Sequence, residues 1–153
     1  MRANPNSYDI DVIAWANEQA RLLRAGRFDA LDIEHIADEI EDVGKSAERE
    51  LASRTAALLA QMLKWQYQPG GRGNSWRRTI KEQRNRVGLC IDQTPSLKAD
   101  LRYPFWWSDV WSDVWSDAVA KASEATGLSE FPESCPWTFD QIMNPEFLPA
   151  SPD

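Results

Sequence analysis

The sequence predicts an all-α fold, a bundle of about five helices followed by a short C-terminal helix. Apolar residues recur at helical spacing through several segments, alternating β-branched runs are missing, and the turn signals separate helical patterns rather than hairpins. A chain of 153 residues suits one domain spanning 1–153, with an ordered core over about 8–148. Its 42% hydrophobic and 27% charged residues are globular values, so only the first few residues and the tail from Leu148 to Asp153 read as loosely ordered.

The first helix is expected from about Asp9 to Ala25, with Val12, Trp15, Ala16, Gln19, Leu22 and Leu23 at helical spacing and Gly26 as a left-handed stop. Asp29 to Asp32 places acids at the positive end of a second helix, whose stripe is Ile33, Ile36, Ala37, Ile40 and Val43. Gly44 is expected to end or kink it. Ser46 then caps a third helix with Ala47, Leu51, Leu58, Met62 and Trp65 on one face, widened by Leu59 and Leu63.

Pro69 to Asn74, with three glycines, is a break flexible enough to reverse the chain. Ser75 caps a fourth helix bearing Trp76, Ile80, Val87 and Ile91, and a short turn runs from Leu97 to Arg102. Pro104 to Gly127 brackets a fifth long helix. Inside it lies the only internal repeat, Trp-Ser-Asp-Val, running from Trp107 to Asp117. Trp107, Trp111 and Trp115 drift by about 40° at each step, forming a winding stripe opposite Asp109, Asp113 and Asp117. Thr138 and Gln141 have capping-box spacing for a last helix through Met143, which Asn144-Pro145 stops.

No apolar run approaches the roughly 20 residues needed to span a bilayer, and the N-terminus lacks a signal-peptide stretch. Cys90 and Cys135 stand far apart without ligand-spaced neighbours, which favours two reduced structural thiols. A cytoplasmic location is the default expectation from these features. The net charge of −7 argues against general nucleic-acid binding. The charge is divided unevenly, however. Lys64 to Arg86 holds seven basic residues against Glu82, a net of +6, which leaves −13 for the rest.

The strings DIEHIADEIEDVGKS (Asp32 to Ser46), MLKWQYQP (Met62 to Pro69), SWRRTI (Ser75 to Ile80), PSL (Pro95 to Leu97) and TGL with FPESCPW (Thr126 to Trp137) occur in order. Together they resemble the bacterial Domain of Unknown Function family number twenty-nine, over nearly the whole chain from Tyr8 to Leu148. The resemblance implies a helical, bundle-like fold. It brings no established activity, cofactor or catalytic residue. Family members often carry His where this chain has Gln61, and the Trp-Ser-Asp-Val repeat looks like a local elaboration.

Four groups of residues could carry function. Glu34, Asp38 and Glu41 share one ridge of the second helix, a spacing able to offer oxygen ligands to Mg²⁺. Facing helices bring no second acidic face, so solvated or ion-paired charge is the plainer reading. His35, the sole histidine, stands i, i+4 from Glu39, an arrangement that can orient an imidazole. Arg77, Lys81 and Arg84 line up at i, i+4 and i+7 with Arg78 beside them. With Trp65, Tyr67 and Trp76 interleaved, they could grip phosphate, nucleic acid or an acidic partner. The plainer reading pairs them with the acidic stretch Asp29 to Glu50, whose net charge is −7, across a helix interface. Trp107, Trp111 and Trp115 serve either as core or as a partner interface.

The expectation is thus an uncharacterised helical protein, most simply a non-enzymatic protein-interaction or self-association module, with a protein partner or homo-oligomer and no cofactor. Whether it is an enzyme stays open. The main alternative is a metal-dependent phosphohydrolase with Glu34, Asp38 and Glu41 as ligands and the basic helix holding phosphate. A weaker one is nucleic-acid binding through Arg77, Lys81 and Arg84.

Overall fold

The computed structural model describes residue 4 and residues 6–100 and 104–152, with side chains given outside 98–110. These residues hold six α-helices and no strand: α1 (Val12–Arg24), α2 (Ile33–Tyr67), α3 (Asn74–Gln93), α4 (Pro95–Asp100), α5 (Pro104–Thr126) and α6 (Phe139–Met143). The all-α expectation holds. No helix among the described residues is long and apolar enough to cross a membrane. The chain gathers into two compact units, Met1–Ser46 and Ala47–Asp153.

In the first unit, Asp11 caps α1, its carboxylate accepting from the amides of Ile13 and Ala14 at 3.1 and 3.0 Å. The helix closes as foreseen at Gly26, whose φ of +72° suits a residue without Cβ. Gly26 N donates to Leu23 O and Arg27 N to Leu22 O, the paired bonds of a Schellman stop. Asp29 falls in a 3-10 turn, Phe28–Ala30, and α2 begins only at Ile33.

The break expected at Gly44 is absent, and α2 runs unbroken through it. A lone helical glycine costs only about 1 kcal/mol relative to alanine, less than the neighbouring good helix formers supply. Nothing approaches within 4 Å of a Cβ placed there.

In the second unit α2 is buried nearly all round, through Leu51, Thr55, Leu58, Leu59, Met62, Leu63 and Trp65. That pattern marks a central helix rather than a surface one. Ile80 and Val87 of α3, Leu97 of α4, and Val114, Trp115, Ala118 and Ala122 of α5 pack with it, joined by Trp137 and Ile142. The turn into α3 is tight. A Cβ on Gly71 would lie 2.3 Å from the Trp76 ring, so only glycine lets that ring settle. Gly73, not Ser75, precedes the first turn of α3 and provides no side-chain cap. Arg102, the expected end of the short turn, lies outside the described residues; α4 itself begins at Pro95.

The capping box at Thr138 and Gln141 forms as its spacing foretold. Pro149 is buried, Leu148 packs against the core, and Ser151 Oγ accepts from Arg72 Nη2 at 3.0 Å. Residues 1–3 and 5, for which loose order was expected, lie outside the described residues.

Because Gly44 sits in open, regular helix, Gly44→Ala should raise stability by about 0.5–1 kcal/mol, read as a higher melting temperature. A lower one would mean that the helix is interrupted there.

Candidate functional site

In the first unit, an aromatic and carboxylate network fixes how α1 meets α2. Asp32, just before α2, accepts from Trp15 Nε1 at 2.9 Å and pairs with His35 Nδ1 at 2.7 Å. Its own amide donates to Gln19 Oε1 at 2.8 Å. Tyr8 stacks on the His35 ring with centroids 4.1 Å apart, meets Trp15 edge-on at 5.0 Å, and donates its hydroxyl to Glu39 at 2.6 Å. The partner of His35 is therefore Asp32, not Glu39 as the i, i+4 spacing suggested. Glu39 instead serves Tyr8, a residue whose role the sequence did not reveal.

The electrostatics follow. The bond to His35 holds the Asp32 carboxyl below its usual range, helped by the Trp15 donor. The same bond, with the charges of Asp32, Asp9 and Asp38, raises His35. The hydrogen bond to Glu39, with nearby acidic charge, pushes Tyr8 up to about 12.

On a helical wheel with Ile33 at 0°, Asp32, His35 and Glu39 fall at about 200–260°, whereas the apolar stripe centres near 330°. Packing α1 through the polar flank leaves that stripe uncovered. Ile33 and Ile40 are each 67% exposed and Val43 is 73% exposed. Ile36 alone of the large stripe residues is half-buried. Ile10, Val12, Ile13, Leu23 and Phe28 add exposed apolar surface to this unit.

Glu34, Asp38 and Glu41 project from α2 with exposed side chains. Among the described residues, no group of three His, Cys, Asp or Glu stands close enough together to hold a metal ion.

In the second unit the tryptophan stripe divides. Trp115 is buried, donates Nε1 to Pro132 O at 3.0 Å and meets Trp137 edge-on at 6.0 Å. A ring so engaged is core and offers a partner nothing. Trp111 is half-buried against that core. Trp107 lies outside the residues whose side chains are described.

The aromatic rings interleaved with the basic residues are already occupied. Arg72 and Arg77 each lie over Trp65, at 5.4 Å, and Lys64 lies over Trp76 at 5.1 Å. Tyr67 meets Phe131 edge-on. Two of these three rings therefore already carry the protein's own cations, and the third packs on Phe131. Arg84 is buried, donating Nε to Ile142 O at 2.8 Å and Nη2 to Phe147 O. Carbonyls, not a carboxylate, satisfy it, and burial lowers its pKa. Arg77, Lys81 and Arg84 do share a wall: together with Ile80, Asn85, Pro145, Glu146 and Leu148 they line a cleft of about 350 Å³. Arg78 is exposed and outside it. The ion pairs among the described residues join positions two to four apart, such as Arg54 with Glu50 and Arg86 with Glu82.

Gln61 is buried and its Nε2 finds no partner among the described residues. Cys90 and Cys135 are free thiols, and burial raises Cys135 to about 11, as suits an unreactive structural thiol.

The model of the family described as Domain of unknown function DUF29 matches residues 7–148. The chain belongs to this family. No curated protein and no solved structure matches the chain significantly. Within the DUF29 match lie both the Tyr8–Asp32–His35 network and the cleft beneath Pro145 to Leu148.

The network should be pH-dependent. His35, raised on folding, contributes fully below its ordinary value of 6.5 and loses that contribution as pH rises through the raised one. Asp32, lowered, contributes above its ordinary 3.8 and loses it as pH falls through the lowered value. The melting-temperature gap between wild type and His35→Gln should therefore shrink as pH rises from about 5 to about 9. A gap constant over that range would contradict the His35–Asp32 pairing.

Proposed function

We infer that this DUF29 protein is a non-enzymatic interaction module that docks a partner helix on the apolar stripe of α2. The supporting observation is the uncovered row Ile33, Ala37, Ile40 and Val43, all exposed in the first unit. Fully covering one such side chain yields about 1.5–3 kcal/mol, so a row of them offers enough for specific docking.

The charge around the stripe selects the occupant. Glu41 and Glu34 lie on the side of it away from α1, within a stretch from Asp29 to Glu50 carrying a net −7. A second copy would bring like-charged flanks together, whereas a helix with an apolar stripe and lysine or arginine flanks complements both features. Two positions on the face of the stripe are small (Ala37 and Gly44), which lets a facing helix approach closely.

The test uses a fluorescent helical peptide with a leucine stripe and lysine flanks, and its counterpart with glutamate flanks. The lysine peptide should bind, weaken with added salt, and lose at least about tenfold in affinity to the Ile33→Asp/Ile40→Asp variant. Equal binding of both peptides, or indifference to that variant, would overturn the reading. A doubled mass by light scattering that the variant abolishes would give the stripe to a second copy instead.

A further inference from the structure

The cleft in the second unit has both apolar and cationic lining. Ile80, Pro145 and Leu148 supply the apolar lining. Polar lining comes from Arg77 and Lys81, one helical turn apart on α3, with Asn85 a further turn along. Neither Arg77 nor Lys81 joins an ion pair among the described residues. Arg77 is held in place by its stacking on Trp65.

Arg84 gives the cleft its shape. By bonding the carbonyls of Ile142 and Phe147, it clamps the segment that carries Pro145, Glu146 and Leu148 over α3. Its charge remains beneath the cleft even though its donors are engaged. The lining therefore holds three cations against the single carboxylate of Glu146. Arg77 and Arg84 are pre-positioned by these contacts, so an anion entering here need order only Lys81.

We propose that this cleft binds a small amphiphilic anion, with its carboxylate or phosphate head on Arg77 and Lys81 and a short apolar body against Ile80 and Leu148. A volume of about 350 Å³ lies within the range of small-ligand sites. It admits a compact head and a short chain but not a polymer. Glu146 on the lining and the total charge of −7 both repel a polyanion. The closed aromatic faces of Trp65 and Trp76 remove the stacking that a nucleic acid would use.

The experiment titrates the intact chain with octyl phosphate, octanoate, inorganic phosphate and octyl glucoside, following the Ile80 and Leu148 methyl resonances. The first two should bind at least about tenfold more tightly than inorganic phosphate or the neutral glucoside. Lys81→Glu, an exposed substitution that leaves the packing intact, should weaken both anions at least about tenfold and leave the melting temperature of the empty protein unchanged. Arg77→Gln should do the same, with its folding checked because it also touches Trp65. Octyl phosphate against octanoate separates a phosphate from a carboxylate preference. Equal affinity for the neutral glucoside, no advantage over inorganic phosphate, or undiminished binding by Lys81→Glu would each overturn the proposal. So would an oligonucleotide that shifts the same methyl resonances more strongly.

Discussion

Asp32 decides which side of α2 meets α1. One carboxylate collects the Trp15 indole and the His35 imidazole, while the amide of the same residue is satisfied by Gln19. Charge-assisted bonds of this kind are about twice as strong as neutral ones, and they are directional. Tyr8 then closes the arrangement by stacking on His35 and donating to Glu39. The contacts all fall on the polar flank of α2, so the apolar flank remains available. A helix that packed by apolar burial alone would have turned the other way.

The second unit obeys the more familiar rule. Its section of α2 buries Leu51, Leu58, Leu59, Met62, Leu63 and Trp65, and α3, α5 and the segment around Trp137 pack against these residues. The polar groups that enter this core are mostly engaged. Trp115 reaches Pro132 O, and Arg84 reaches Ile142 O and Phe147 O. Gln61 Nε2, Gln66 Oε1 and Gln83 Oε1 are exceptions, buried without a hydrogen-bond partner among the described residues. Among the cations of α3, Arg77 lies on Trp65 and lines the cleft with Lys81 and Arg84, while Arg86 pairs with Glu82.

Much of the fold was legible because it depends on local signals. The helical periods, the stop at Gly26 and the capping box at Thr138 each involve residues within a few positions of one another. Gly44 misled because a glycine weakens a helix without breaking it when nothing else opposes continuation. The direction of packing was not legible. Periodicity identifies an apolar stripe but assumes that the stripe is covered, whereas the bonds that set α1 against α2 link Trp15 to Asp32 and Tyr8 to Glu39, 17 and 31 positions apart. Among the site residues, the i, i+4, i+7 row of Arg77, Lys81 and Arg84 was visible, but its cleft depends on Arg84 holding a tail 58 to 63 positions away. The tryptophan repeat gave no sign of which ring is core, because Trp115 is fixed by a carbonyl in the following loop.

The uncovered flank of α2 is the claim on which the rest turns, and thiol reactivity measures it directly. In a background with Cys90 and Cys135 replaced, Ile40→Cys in the purified chain should react with a maleimide within about tenfold of an unstructured peptide thiol, since local accessibility sets the rate. A thiol protected by several orders of magnitude, and released only on unfolding, would show that the stripe is buried and would contradict the account.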